Sequence, residues 1–194
     1  MSKKTYRLHS WNVNGIRACI KNGFWDWFEN TKSDVVCLQE SKITHKDFYK
    51  IALENGLTPL LDHCDEQSVL FSDPPKSKRK KLLYYAQASA EKAGYSGTVI
   101  LSKIKPVSVT LGLNKKEFDR EGRTVIADYG DFVLFNCYFP NGGRDLSRIP
   151  YKLAYSDYVL KVANRYRKQG KKVVITGDFN VAHTEIDLTH PKAN

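Results

Sequence analysis

An acid and an amide stand two residues apart behind an apolar stretch: Asp178 and Asn180, in VVITGDFNVAHTEIDL, residues 173–188. Val173, Val174, Ile175 and Thr176 read as a buried strand and Gly177 as its break. Residues i and i+2 of an extended chain share a face, so both groups are expected to point one way at the mouth of the core. The device recurs. LHSWNVNG ends on Asn12 and Asn14, VVCLQE on Glu40, and LFNCYFPNGGRD on Tyr138, Asn141 and Arg144. Taken singly, each position has a plain alternative: Asn and Asp cap turns, Glu40 caps a following helix, Tyr138 fills a core. Taken together they are hard oxygen donors without a cysteine or clustered-histidine site, a set that suits Mg²⁺ or Mn²⁺ rather than zinc. Phosphodiester hydrolysis needs such a set, because a metal neutralises phosphate charge, an acid activates water and further donors hold the transition state.

The elements that must position these groups follow from periodicity. Strand-like runs are 6–13, 34–40, 96–102, 123–129, 131–139 and 171–179. Tyr129-Gly130-Asp131 joins two of them closely enough to predict a hairpin. FWDWFENT reads as a short helix and 146–169 as a long one, because Tyr151, Tyr155, Val159, Val162 and Tyr166 form one stripe of a 3.6-residue period. Pro150 is tolerated in its first turn and Gly170 stops it. Strands alternating with helices, plus a hairpin, predict an α/β sandwich in a single domain spanning 1–194. Residues 62–83 differ from the rest. They hold Pro74-Pro75 and the run KSKRKK, and read either as a basic surface loop with solvated charges or as a contact to a DNA backbone.

Composition narrows the partners. Lys and Arg number 31 against 21 Asp and Glu, a formal net charge of +10. A basic surface implies an anionic partner, with nucleic acid first among them. No apolar run approaches a membrane span. Cys19, Cys37, Cys64 and Cys137 show no paired spacing, and Cys37 and Cys137 lie in apolar runs. They read as core residues in a reducing compartment, so a cytoplasmic protein is expected.

Six stretches extend the reading: SWNVNGIRA, CLQESK, GYSGTVILSK, DREGR, YFPNGGRD and GDFNVAHTEIDL, in this order. Together they closely resemble the exodeoxyribonuclease III / apurinic-apyrimidinic endonuclease family, within the superfamily of endonucleases, exonucleases and phosphatases. The resemblance covers nearly the whole chain outside 48–83. It implies a four-layer α/β sandwich, two mixed β-sheets flanked by helices. It also implies a Mg²⁺- or Mn²⁺-dependent DNA repair enzyme, monomeric, that cuts double-stranded DNA 5′ to abasic sites and trims 3′ ends.

Carried over position by position, the resemblance gives metal ligation to Glu40 with Asn12 beside it. The phosphate-contacting phenol falls on Tyr138, the water-activating carboxylate on Asp178, and the orienting or transition-state amide on Asn180; Asp178 and Asn180 are also expected near the metal. Asn14, Arg17, Lys21, Gly94, Tyr95, Asn141 and Arg144 are expected to face DNA. Two departures stand out. The segment between Glu40 and Gly94 is longer than usual in the family. A further aspartate and a closing Ser-Asp-His motif do not occur in these 194 residues, and His9, His45, His63, His183 and His190 stand in other contexts. The sandwich is therefore expected to be incomplete at its C-terminal side. Two alternatives remain: a DNA-binding chain with an incomplete active site, or a phosphatase of the same superfamily acting on a non-DNA phosphate.

Overall fold

The computed structural model describes residues 4–60, 83–143 and 145–188. Two sheets carry the strands, and both are mixed. The first has the order β1-β2-β5-β4-β3 and the second β6-β7-β8-β9. The members of the first are β1 (Leu8–Asn12), β2 (Val35–Gln39), β3 (Leu57–Pro59), β4 (Leu83–Ala88) and β5 (Thr98–Ser102). Those of the second are β6 (Ser108–Leu111), β7 (Thr124–Asp128), β8 (Val133–Tyr138) and β9 (Val173–Asp178). The helices are α1 (Ile16–Lys21), α2 (Phe24–Asn30), α3 (His45–Glu54), α4 (Lys116–Asp119) and α5 (Ile149–Lys168).

The sequence builds four layers by alternation. In β2, Val36 and Leu38 face outward and pack with Ile16, Phe24, Phe28 and Phe48 from α1, α2 and α3. Val35 and Cys37 face inward, where they meet Val125, Ala127 and Leu134 of the second sheet. The outer face of that sheet, Val133, Phe135 and Cys137, packs under Phe118 of α4 and Tyr155, Val159 and Val162 of α5. Helix, sheet, sheet and helix follow one another. The four-layer α/β sandwich expected from the resemblance is the observed architecture. A polar link crosses the apolar middle: Gln39 Nε2 donates to Asn136 Oδ1 at 2.8 Å, and Asn136 Nδ2 donates to the carbonyls of Leu38 and Val99. Both amide nitrogens of that link are partnered, as burial demands, and the link ties the two sheets together.

Register decides what the strands deliver. β1 pairs parallel with β2, Asn12 opposite Gln39, and β8 pairs parallel with β9, Tyr138 opposite Asp178. All four C-terminal strand ends therefore emerge at one rim. The crevice outside the carboxyl ends of strands is where open α/β sheets place their ligands.

Several expectations need correction. Gly177 does not break the last strand, which runs through it to Asp178. A Cβ at Gly177 would lie 1.8 Å from the Cys137 carbonyl oxygen, and its φ is +137°, so glycine is what lets β9 approach β8. Nor is β9 buried: it is half-buried along its length because it forms an edge of its sheet. β3, β4, β6, α1, α3 and α4 do not appear among the sequence-derived elements. α3 had a signal, since Thr44 accepts from the amide of Asp47 and caps the helix. The hairpin at Tyr129-Gly130-Asp131 is as expected, with Tyr129 N donating to Phe132 O. The stripe on α5 is also as expected: Tyr155, Val159 and Val162 are buried, with Tyr151 and Tyr166 packed beside them. Of the 62–83 stretch only Leu83 is described, at the start of β4; the KSKRKK run, His63 and Cys64 lie outside the described residues, as do Arg144 and His190. Among the described residues no helix is long and apolar enough to cross a membrane.

Candidate active site

At the shared rim, three side chains from three strand ends meet. Asn12 Nδ2 donates to Glu40 Oε2 at 3.0 Å and to Asp178 Oδ2 at 2.8 Å. One amide thus holds a carboxylate from each sheet. Asn12 is itself oriented, because its Oδ1 accepts from the amide of Asn14 at 3.0 Å. The phenol of Tyr138, at the neighbouring strand end, lies close enough to Glu40 for the two groups to shift each other's protonation. Asp178 Oδ1 accepts from the backbone amide of Asn180 at 2.9 Å.

The chain turns sharply just past these ends. Asn14, Glu40 and Asn180 all have positive φ, at 45°, 57° and 50°. Extended alternation therefore stops at Asp178, and the shared-face argument for Asp178 and Asn180 fails; a left-handed turn, which Asn tolerates better than most residues, brings them together instead. Asn180 Nδ2 donates to Phe139 O at 2.8 Å. A carboxamide nitrogen carries two hydrogens, so one is left to point elsewhere. Glu40 caps no helix; Thr44 takes that role for α3.

Charge is balanced locally. Burial alone would raise the carboxyl of Glu40, but the ammonium of Lys42, the amide of Asn12 and the phenol of Tyr138 outweigh it and hold the group below its ordinary value. Lys42 Nζ lies 3.0 Å from Glu40 Oε1 and 2.5 Å from Asn14 Oδ1. Burial, with the charge of Glu40 next, pushes Tyr138 up to about 12. Tyr138 is thus a hydrogen-bond donor at neutral pH. Lys42 and Lys152, whose Nζ reaches Asn180 O at 2.5 Å, were not singled out from sequence. The place of Lys42 two residues past Glu40 was the available signal.

The residues expected to face DNA are distributed less tightly. Arg17 pairs with Asp47 at 2.7 Å, and Lys21 is exposed in the last turn of α1. Gly94 is exposed with φ 70°. Tyr95 directs its hydroxyl into a cluster with Glu121, Arg123 and Arg148 rather than outward. Asn141 is exposed, and its Oδ1 accepts from Gly143 N at 3.2 Å, so the turn-capping alternative describes its local contact.

Among the described residues no group of three or more His, Cys, Asp or Glu side chains gathers where it could hold a metal ion. The pair Glu40 and Asp178 with Asn12 still fits a hard divalent cation of the Mg²⁺ type, which binds through one or two carboxylates and fills its remaining positions with water and phosphate oxygens.

The model of the Endonuclease/Exonuclease/phosphatase family matches residues 9–194. The chain belongs to that family. Among its relatives, the "DNA repair nuclease APEX1" of Danio rerio is 36% identical over 189 residues, covering 97% of this chain and 53% of the relative. The "Exodeoxyribonuclease" of Bacillus subtilis (strain 168) is 34% identical, covering 97% of this chain and 64% of the relative. An AP endonuclease from Archaeoglobus fulgidus superposes with a TM-score of 0.69 at 22% identity, over 97% of this chain and 63% of that one. This member of the family therefore spans between half and two thirds of the length of these proteins.

Proposed function

We propose that the rim carries a metal-dependent DNA phosphodiesterase site of a repair nuclease, cutting 5′ to abasic sites and trimming 3′ ends. The observation that carries this reading is Asn12 joining Glu40 to Asp178 across the two sheets. Relatives named as a DNA repair nuclease and an exodeoxyribonuclease, and a net charge of +10, support DNA as the polyanion. Glu40 and Asp178, with Asn12, would hold Mg²⁺ or Mn²⁺. Bound there, the metal would neutralise charge on the scissile phosphate.

The chain's own groups divide the remaining work. Asp178 accepts the proton of the attacking water, its second oxygen fixed by the amide of Asn180. Tyr138, neutral at working pH, donates toward the phosphate from the end of the strand beside Asp178. Asn180 contributes the amide hydrogen that Phe139 does not use. Asn14, Arg17, Lys21, Gly94, Tyr95, Asn141 and Arg144 are proposed to line the path of the DNA backbone, which supplies affinity and register rather than chemistry.

The test is incision of an abasic duplex by the full chain under single-turnover conditions, with Mg²⁺ and with a chelator. Metal-dependent incision that Glu40→Ala abolishes without loss of fold supports the reading. Tight binding without incision assigns the chain to DNA binding alone. Turnover of a phosphomonoester with no action on abasic DNA moves it to the phosphatases of the family.

A further inference from the structure

The stretch DREGR, residues 119–123, has no part in the site as described, yet it is built into its floor. Asp119 accepts from the amides of Leu113 at 2.6 Å and Lys115 at 2.7 Å, closing the turn ahead of α4. Arg120 O accepts from Glu91 N at 2.8 Å, and Gly122 O from Thr98 Oγ1 at 3.1 Å. A Cβ at Gly122 would lie 2.4 Å from the carbonyl carbon of Ser89, and its φ is +58°, so only glycine admits this approach. The stretch is thereby strapped along residues 89–98, the segment that carries Gly94 and Tyr95.

Its last residue then reaches the catalytic rim. Arg123 is only 3% exposed. Its Nη1 donates to Tyr138 O at 2.9 Å, its Nη2 to the Tyr95 hydroxyl at 3.0 Å, and its Nε to Glu121 at 2.5 Å. The guanidinium lies 4.7 Å from the centre of the Tyr138 ring. Tyr138 N returns a bond to Arg123 O at 2.8 Å. Glu121 is shared with Arg148, at 2.8 and 3.0 Å, and Arg148 also donates to the Tyr95 hydroxyl at 2.7 Å. A planar guanidinium suits this, because it offers donors in a fixed fork and a flat face for stacking at once.

We propose that Arg123 is a positioning residue for the phosphodiester reaction: it sets the ring of Tyr138 at the rim and locks the Tyr95 segment to it. DNA gripped along residues 94–95 would then be held in register with the phenol that meets the phosphate. The proposal rests on the reading of Tyr138 as that phenol. Arg148 differs in kind, because it touches Tyr95 and Glu121 and not Tyr138. Misplacing a reacting group by about an ångström costs on the order of 10² in rate, so an effect of that size is expected through Tyr138 alone.

The experiment places 3-fluorotyrosine at position 138, and separately at 95, in the full chain and reads the ¹⁹F signal in Arg123→Met, Arg123→Lys and Arg148→Met. Arg123→Met should shift and broaden both signals, Arg123→Lys should recover part of the Tyr138 signal, and Arg148→Met should move the Tyr95 signal only. Single-turnover incision by Arg123→Met at saturating DNA should fall roughly 10²-fold. If Arg123→Met fails to fold, Arg123→Lys, which keeps the buried charge, is read against Arg148→Met in its place. An unmoved Tyr138 signal in a folded Arg123 variant overturns the proposal. So does Arg148→Met disturbing Tyr138 as much as Arg123→Met does. A parent chain that never incises, with the fluorine pattern as expected, removes the nuclease reading and leaves the positioning of Tyr138 intact.

Discussion

Asn12 and Asp178 lie 166 positions apart in sequence and 2.8 Å apart in space. The bond joins the end of an edge strand in one sheet to the end of an edge strand in the other. Through the same nitrogen Asn12 also holds Glu40, so two carboxylates that would repel each other share a donor.

Asn12→Ala should leave that pair without its bridge. Residues that orient metal-binding carboxylates typically change metal affinity or activity by about 10- to 100-fold. A loss of that order is expected in Mg²⁺ affinity by calorimetry and in single-turnover incision. Thermal stability should fall little, because Asn12 is only half-buried. A variant that binds Mg²⁺ as the parent does would reduce Asn12 to a spacer.

Asp178→Asn keeps the shape of the side chain and cannot accept a proton from water. The expected drop in the chemical step is ~10² to 10⁴. Asn180→Ala removes one amide donor, at ~10² to 10³. Both act on one step and are linked by the bond from Asn180 N to Asp178. The double variant should therefore fall short of the product of the single effects. Incision with abasic duplex measures this, with DNA affinity followed in the absence of metal. If both single variants cut like the parent, the pair is a turn and nothing more.

Acid should act through Glu121. Burial by itself would raise this carboxyl, but Arg123 and Arg148 outweigh it and hold the group below its ordinary value of 4.5. A carboxyl lowered in the folded state contributes stability above its unfolded value, and that contribution is lost as pH falls through the folded value. Glu121→Gln should cost about 2 kcal/mol at neutral pH, since it leaves the buried Arg123 without its countercharge. The gap between parent and variant should close as pH drops below 4.5. Urea midpoints across that range measure it, and a constant gap would show that Glu121 acts through packing alone.

Gly177→Ala tests the close approach of β9 to β8. The added methyl meets the Cys137 carbonyl at 1.8 Å, with backbone on both sides and no flexible side chain to yield. The expected cost is ~3 kcal/mol or more, the upper end for overpacking. Because Asp178 follows directly, Mg²⁺ affinity should fall with stability. A variant with a parental unfolding midpoint would mean that the edge strand can move aside.

The sequence by itself determined the parts whose signal is local. β2, β5 and β8 are continuous apolar runs, the stripe on α5 repeats every turn, and Tyr129-Gly130-Asp131 carries its own hairpin geometry. It also marked Asn12, Glu40, Tyr138 and Asp178 as polar groups at strand ends, which six ordered motifs then tied to one family. The pairing of those strands was not legible, because register joins residues such as Asn12 and Gln39, or Tyr138 and Asp178, across whole intervening elements. Only the tertiary structure set β1 beside β2 and β8 beside β9, so that four strand ends meet at one rim. It made β9 a half-buried edge, and it replaced the alternation expected past Asp178 with a left-handed turn at Asn180. Lys42, Lys152 and the cluster around Arg123 were hidden for the same reason. A charged side chain in a sequence reads as solvated until the fold shows which carbonyl, ring or carboxylate lies within its reach.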